Sequence, residues 1–436
     1  MLYLQSSTTM KMNKVRIKIE KLGRIKDSEI DIDRMVLFSG ESGLGKSYMA
    51  ILCHYFFHIL VDDKRMSNFF REKGADFNLQ RKDFKNTGIA IEILKSELEE
   101  WFADDAIEYM RYMLGNENLK GKIKVQLPDV VPNKITISYE EQLVGFTNNE
   151  DPYLLLHTDR LNYRVLNTDN FGESPYSVVI RHHLITLILS SFKAIEDSFV
   201  FPPSRGFALS ETFNPVSGLY QSYNETLLKL KKSYTENDEV LYKNLNDMIL
   251  KVLDGRIEYK DNKFLYHSNG EPMPISAAAA SVRELAPFEL LVEKTNISKD
   301  VVLIEEPEAH LHPLKQRLIA DVISLMFKAG AHLQITTHSD YFLRRINEFI
   351  LLNRIKDKTS DSTYVEFCKT LDINPEMALP IEGISAYILL SNNDGTSRIE
   401  KQNLIDGVPF TSFTDAVKKG LRMLDELEDF ENHEDC

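Results

Sequence analysis

The stretch from Met35 to Leu60 constrains the fold of this chain more than any other. It begins with MVLFS, a dense apolar run typical of a buried strand, and leads directly into the loop GESGLGKS at 40–47. A helix-forming segment with almost no polar face, YMAILCHYFFHIL, follows the loop. Strand, glycine-rich loop and helix in this order are the context that a phosphate-binding loop requires. We therefore predict an α/β fold of the P-loop NTPase kind.

Each residue type in this loop suits the binding of a nucleoside triphosphate. Glycines let the backbone curl so that N–H groups face the phosphate oxygens, and the helix N-terminus adds its positive end. Lys46 is predicted to neutralise the β- and γ-phosphates, and the Ser47 hydroxyl to ligate Mg²⁺. The predicted nucleotide-binding residues are Gly40, Glu41, Ser42, Gly43, Leu44, Gly45, Lys46 and Ser47.

A second segment, VVLIEEPEAHLHP at 301–313, places two carboxylates directly after a short apolar run. Such a run predicts a central parallel strand, and ligands bind at the C-terminal ends of strands in open α/β sheets. Glu305 and Glu306 would repel each other there unless a cation balanced them. We therefore predict that Glu305 helps to hold Mg²⁺ and that Glu306 is the general base for the attacking water.

The segment after these carboxylates predicts a parallel crossover. An amphipathic helix is expected over 314–327, opened by Pro313 and ended by Gly330, with a short strand at 333–336 leading into THSD. This unit brings His338 to the same sheet edge as the two glutamates. His338, Glu306 and Lys46 are accordingly the predicted catalytic residues.

Three neighbouring side chains, Glu308, His310 and His312, could be mistaken for a metal cluster. We expect them to serve helix entry or a subunit contact, because no other ligand converges on them by spacing. Arg205 follows a strand that ends at Pro202-Pro203. It is either a phosphate or interface contact or a salt-bridged residue in a surface turn.

The remaining pattern is mostly regular. Helices are predicted at 95–114, 176–192 and over most of 225–252, and strands at 15–19, 28–32, 122–126, 135–139 and 199–201. Hairpins are predicted at 256–267 and after 386–390, a helix over the alanine run at 277–280 and beyond, and a final helix at 414–427. Residues 1–12 are expected to be an unstructured extension.

Composition restricts the possible partners. A net charge of −14 and a pI near 5.4 argue against non-specific DNA coating, although a local basic groove remains possible. The acidic end DELEDFENHED is read as a solvated tail, with partner docking as the alternative. Three scattered cysteines, no signal peptide and no apolar run of about 20 residues predict a cytoplasmic protein without a membrane span.

The motifs, in this order, resemble those of ABC-type ATPases of the SMC, RecF and OLD (overcoming-lysogenization-defect) kinds. More narrowly, the chain is similar to bacterial AAA-family proteins with an IEEPEAHLHP Walker B segment and a THSDY switch. The resemblance covers VRIKIEKLGRIKDSEIDI before the P-loop and 303–347. It implies an ABC-type head with N-terminal antiparallel strands, and a head-to-head dimer or higher assembly that encloses two ATP molecules. It also implies that Glu305 occupies a metal-holding position that is often aspartate.

One departure from the family pattern concerns the signature segment. Aligned on Glu284-Leu285, the chain carries Ala279-Ala280-Ser281 where the family usually has a serine pair. The γ-phosphate contact across the dimer would come from Ser281, Ser276 or backbone N–H groups, or be weak. We therefore predict slow hydrolysis and a use of ATP as a conformational switch. The glutamine loop has only Gln80 and Gln142 as candidates.

The predicted domain division is 13–60 and 271–352 for the two parts of the ATPase head, 61–270 for an inserted β and helical lobe, and 353–436 for a small C-terminal α/β extension with an acidic tail. The segment after His338 contains no Asp-x-Asp, so a Toprim nuclease module is not expected. The first hypothesis is the ATPase subunit of an anti-phage defence or abortive-infection system, controlling a separate nuclease or toxin. The alternatives are a DNA-repair ATPase that binds DNA itself and a nucleotide-dependent scaffold without turnover.

Overall fold

The computed structural model describes residues 14–62, 64–75, 77, 87–142, 153–166, 173–188, 195–210, 214–232, 239–268, 270–408 and 411–434. The predicted extension at 1–12 and the candidate Gln80 lie outside these residues. The strands are β1 Arg16–Leu22, β2 Ile25–Asp31, β3 Met35–Gly40, β4 Thr87–Leu94, β5 Gly121–Gln126, β6 Lys134–Gln142, β7 Tyr153–His157, β8 Asn162–Leu166, β9 Asp197–Phe201, β10 Arg256–Lys260, β11 Lys263–His267, β12 Met273–Pro274, β13 Asp300–Glu305, β14 His332–Thr336, β15 Ile384–Ser391 and β16 Ser397–Lys401.

The helices are α1 Lys46–His58, α2 Arg65–Glu72, α3 Lys95–Leu114, α4 Pro175–Ile188, α5 Gly218–Lys232, α6 Glu239–Leu253, α7 Ala280–Lys294, α8 Pro313–Ala329, α9 Asp340–Lys356, α10 Asp361–Thr370 and α11 Thr411–Glu434. Most predicted elements are confirmed, including the β10–β11 hairpin and the β13–α8–β14 crossover, whose strands pair in parallel. The alanine run is an exception. A 3₁₀ turn occupies Ile275–Ala277, and α7 begins only at Ala280, the last alanine.

A nine-stranded mixed sheet organises the chain, in the order β5-β1-β2-β16-β15-β3-β14-β13-β9. The strands from β15 to β9 pair in parallel, whereas β5, β1 and β2 form an antiparallel edge. Helices cover both faces, because the side chains of the central strands are buried on both sides. In β13, Val301 and Leu303 join the core that contains α1, and Val302 and Ile304 join the core that contains α8. The predicted α/β fold, a mixed sheet with N-terminal antiparallel strands and helices on both faces, is confirmed.

The domain boundaries differ from the predicted ones. β15 and β16, from the expected C-terminal extension, insert into the middle of the sheet, with β15 parallel to β3. β5 and β9, from the expected inserted lobe, form the two edges of the same sheet. The buried residues of β15 (ISAYILLS) explain the first difference, because only a strand covered on both faces needs so many apolar side chains. Two smaller sheets, β4-β6-β7-β8 and β10-β11-β12, do stand apart from the central sheet.

Candidate active site

The loop between β3 and α1 adopts a conformation that demands glycine. Gly40 has φ +122°, and a Cβ there would lie 2.5 Å from the Leu389 carbonyl oxygen of β15. Gly45 has φ +105°, and a Cβ there would lie 2.8 Å from Ile25 Cδ1. The loop is therefore held between β2 and β15, and side chains at either glycine would both strain the backbone and clash.

Lys46 opens α1 and points back into the loop. Its Nζ donates to the carbonyl oxygens of Gly40 (3.0 Å) and Glu41 (2.8 Å) and lies 3.4 Å from His338 Nδ1. Burial lowers the pKa of Lys46 to about 8. A buried ammonium near its pKa is a strong receptor for phosphate, because an anion would restore the solvation that the charge has lost.

Ser47 and Glu305 meet directly across the site. The Ser47 hydroxyl donates to Glu305 Oε2 in a short hydrogen bond. Glu305 is buried, which raises its pKa, and its Oε1 finds no hydrogen-bond partner among the described residues. Mg²⁺ prefers oxygen ligands, and the Ser47 hydroxyl and the unpaired carboxylate oxygen of Glu305 are two such ligands side by side. The residues therefore fit the magnesium site that the sequence predicted.

Glu306 and His338 face each other beside this pair. Glu306 adopts a left-handed backbone conformation, with φ +46°, and its N–H donates to Thr336 O (3.0 Å). Its Oε1 lies 3.6 Å from His338 Nε2. Burial and the neighbouring Lys46 lower the pKa of His338. The imidazole is therefore neutral near pH 7. The ring also hydrogen-bonds the backbone of Gly40, so His338 is held between the loop and Glu306.

Glu308 supports the backbone of His338 through hydrogen bonds. It is buried, and Oε1 accepts hydrogen bonds from Thr337 Oγ1 (2.8 Å) and His338 N (2.7 Å). His312 is the N-cap of α8, where its ring accepts from Leu314 N (3.4 Å), as the helix-entry interpretation expects. Within the described part of the chain, no group of three or more His, Cys, Asp or Glu residues is placed to hold a metal ion.

Arg205 is fully buried, with 0% exposure, so it contacts neither a phosphate nor an interface and does not lie in a surface turn. The predicted salt bridge is present, because its Nε lies 3.6 Å from Glu284 Oε2. All five N–H donors of its guanidinium reach main-chain carbonyl oxygens. The acceptors are Glu284 (2.9 Å), Pro202 (3.0 Å), Glu305 (2.9 Å), Glu306 (3.2 Å) and Pro307 (3.3 Å). Three consecutive carbonyls at the end of β13 therefore share one cation. This contact holds the backbone from which both glutamates project.

Arg205 also joins β13 to the signature helix α7. The Glu284 carboxylate accepts from the backbone N–H groups of Arg205 (3.1 Å) and Gly206 (3.1 Å), while the Arg205 side chain donates to Glu284 O. Tyr223 OH, from α5, donates to Arg205 O (2.6 Å). The sequence shows only an arginine after two prolines, and nothing in it signals these long-range contacts.

The segment that the sequence predicts to be the signature lies at the exposed start of α7. Ala279 is the N-cap, and no side chain caps the helix there. Ala279 and Ala280 are exposed, Ser281 is half-buried in the first turn, and Ser276 is exposed in the preceding 3₁₀ turn. The free N–H groups of this helix start carry a partial positive charge toward solvent.

Sequence reasoning missed the contribution of Arg24 and of the β15–β16 hairpin to the site. Arg24, in the turn after β1, donates to Gly395 O (3.0 Å) and Gly43 O (3.4 Å). Ser397 Oγ donates to Leu44 O (2.8 Å). A cavity of about 360 Å³ lies between this turn and the P-loop, and its lining includes Arg24, Lys46, Ser47, Tyr48, Glu306 and His338. Gln142 lies elsewhere, at the end of β6 in the four-stranded sheet.

Comparison with known proteins gives three findings. Residues 207–343 match the family model described as AAA ATPase domain, which supports an ATPase of that general type. This segment begins just after Arg205 and Gly206. It includes Glu305, Glu306 and His338 but not the loop at 40–47. No curated protein matches the chain.

No described helix has both the length and the apolar character needed to cross a membrane.

Solved structures of SMC heads are similar to this chain at low identity. One is an Smc head bound to the C-terminal winged-helix domain of ScpA, with 11% identity, TM-score 0.37 and coverage of 91% of this chain and 98% of that one. The SMC head from Thermotoga maritima has 10% identity and a TM-score of 0.32, and the match covers 91% of this chain and 100% of that one. An Smc head with an extended coiled coil, bound to the C-terminal domain of ScpA and derived from Pyrococcus furiosus, has 11% identity and a TM-score of 0.35. The match covers 96% of this chain and 99% of that one.

Proposed function

We propose that this chain binds ATP with Mg²⁺, hydrolyses it slowly, and uses the bound state as a conformational switch. The observation that carries the proposal is the convergence of Lys46, Glu306 and His338, joined by separations of 3.4 and 3.6 Å, beside the Ser47–Glu305 pair. These groups come from distant parts of the chain, and no structural need explains two glutamates, a lysine and a histidine at one sheet edge.

The proposed chemistry divides among these residues. Loop N–H groups and Lys46 bind the phosphates. Ser47 and Glu305 would hold Mg²⁺, which neutralises charge on the β- and γ-phosphates when bound. Glu306 orients the attacking water and accepts its proton. His338 contacts an oxygen of the γ-phosphate. It transmits the loss of this phosphate to Glu308 through the hydrogen bond that its backbone N–H donates to Glu308 Oε1.

The proposed slowness follows from the signature segment. With Ala279 and Ala280 in place of serines, the start of α7 offers backbone N–H groups and Ser281 to a nucleotide held by a second copy. Hydroxyl donors at this point would strengthen the contact in the transition state, so their loss lowers the rate more than the binding. Steady-state hydrolysis that is fast, and unchanged by Ser281→Ala and Ser276→Ala, would contradict this proposal.

The decisive experiment on the site compares two variants. We expect Glu306→Gln to retain ATP and to stabilise head-to-head dimers, because Gln keeps the shape of the side chain but cannot accept the proton. Lys46→Ala should abolish ATP binding and therefore dimers as well. Nucleotide retention and mass are measured by filter binding and light scattering. If Glu306→Gln turns over ATP at the wild-type rate as a monomer, the site assignment is wrong.

We further propose that the switch controls a separate effector, a nuclease or toxin, in a cytoplasmic anti-phage defence system. Support comes from the resemblance to OLD-type proteins and from β15 and β16, which lie within the central sheet. Purification from the native host tests this directly. A stoichiometric nuclease or toxin favours the proposal, whereas tight duplex DNA binding with a steep salt dependence and no protein partner favours a DNA-maintenance ATPase.

A further inference from the structure

The helix α11 exposes a stripe of large apolar side chains. Every side chain described in it, from 417 to 431, is exposed. Val417, Leu421, Leu424 and Leu427 are 46%, 55%, 54% and 60% exposed, and their spacing of four, three and three residues places them on one face. Phe430, at 65% exposure, extends the stripe toward the end of the helix. The segment read from sequence as a solvated acidic tail is thus an amphipathic helix.

An apolar stripe on a helix of this kind calls for a covering surface. The helix has 24 residues and is about 36 Å long. Isolated helices gain little stability from propensity alone, and most of their stability in proteins comes from packing an apolar face. Contiguous exposed apolar surface on a soluble protein marks an interaction site.

The charges on α11 identify the occupant. Its first half carries the basic residues Lys418, Lys419 and Arg422 and one acidic residue, Asp415. Its second half carries six acidic residues: Asp425, Glu426, Glu428, Asp429, Glu431 and Glu434. An antiparallel second copy would place each basic half against an acidic half, whereas a parallel copy would place like charges together. We propose that α11 is a self-association surface that pairs antiparallel with α11 of a second copy of this chain.

The same charges disfavour the other common occupants of an amphipathic helix. An anionic membrane surface attracts basic helices, but it would repel the six acidic residues of α11 that follow Leu424. Nucleic acid would be repelled in the same way. The pairing is separate from the nucleotide site and does not rest on the proposed function. It would link two chains without ATP, whereas head-to-head pairing requires it.

The first test measures the mass of the full chain without nucleotide, by sedimentation across a range of protein concentrations. We expect a wild-type dimer, and we expect Leu424→Asp to raise the dimer dissociation constant at least about a hundredfold, because it places two charges at the centre of the stripe. Leu351→Asp is the matched control, since Leu351 is 50% exposed on α9. It should leave the dimer unchanged. A monomeric wild type, or a dimer that tolerates Leu424→Asp, overturns the proposal.

The second test concerns charge and direction. Reversal of the three basic residues to Glu should weaken self-association, and exchange of basic and acidic residues between the two halves should restore it. In a Cys436→Ser background, chains with Lys418→Cys should form disulfides with chains carrying Glu431→Cys but not with themselves. Cys53 and Cys368 are buried and do not interfere. Crosslinking of Lys418→Cys chains to each other would show parallel pairing and refute the proposed arrangement.

Discussion

Arg205→Lys is the substitution that most directly tests how the site is built. It keeps the positive charge and removes part of the hydrogen bonding. A lysine ammonium has three donors, whereas the guanidinium uses five, so at least two of the five carbonyl contacts are lost. The affected backbone carries both Glu305 and Glu306.

The expected loss of stability follows from those contacts. A buried acceptor left without a partner costs about 1–3 kcal/mol. Glu306 O keeps a second donor, Ala309 N at 3.0 Å, so some acceptors remain satisfied. We therefore expect Arg205→Lys to lower the free energy of unfolding by about 2–4 kcal/mol. Folded domains are stable by about 5–15 kcal/mol, so the variant should still fold.

The expected effect on hydrolysis is larger than the effect on nucleotide binding. The carbonyls freed by Arg205→Lys precede and follow the Glu306 side chain, and a displacement of about 1 Å in a catalytic group costs roughly a hundredfold in rate. None of the five hydrogen bonds of the Arg205 side chain reaches the phosphate-binding loop. We therefore expect the affinity for ATP to change little. Urea denaturation measures stability, and single-turnover hydrolysis per bound ATP measures the rate.

Arg345→Lys is the matched control. Arg345 is a largely buried arginine on α9 that donates to Asp321 (2.7 and 3.1 Å) and Glu348 (2.8 Å). We expect the Arg345→Lys variant to have a lower free energy of unfolding than the wild type but the same rate of hydrolysis per bound ATP. If Arg205→Lys retains wild-type stability and rate, the five-carbonyl contact does not position the site. A loss of stability alone, equal to that of Arg345→Lys, would leave Arg205 with a purely structural role.

Three further predictions concern the nucleotide site. Gly40→Ala should abolish ATP binding, because the added Cβ would lie 2.5 Å from Leu389 O at a backbone φ of +122°. Gly43→Ala should weaken binding less, because the space around Gly43 is open. Equal ATP affinities of the two variants in calorimetry would contradict this prediction. ATP affinity should fall as the pH rises above about 8, because Lys46 loses its proton near its pKa of about 8 in the nucleotide-free protein, so binding takes up a proton. Titrations in buffers of different ionisation enthalpy measure this uptake, and a flat pH profile would refute it. Glu308→Ala should slow hydrolysis about tenfold or more with little change in ATP affinity, because His338 N and Thr337 Oγ1 lose a shared acceptor; unchanged single-turnover rates would show that His338 needs no such support.

Local sequence predicted the parts of this protein whose chemistry is confined to a few neighbouring residues. The P-loop has a glycine spacing that only one backbone path satisfies, and the run before Glu305 contains enough β-branched residues to require a buried strand. The crossover from β13 to β14 follows from its length and from the helix signals at Pro313 and Gly330. Because parallel strands share their C-terminal edge, these signals also predicted which edge holds the glutamates and His338.

The tertiary structure decided the contacts between residues that are distant in the chain. β15 forms the predicted hairpin with β16, and its other edge pairs with β3, where Leu389 O leaves no space for a side chain at Gly40. Arg205 reads as a surface turn, but it is buried beneath three carbonyls of the Walker B turn. Such pairings depend on which buried polar groups remain unsatisfied once the core has formed, and that information is spread over the whole fold. The sequence thus determined which groups meet at the proposed nucleotide site, and the fold decided what holds them in place.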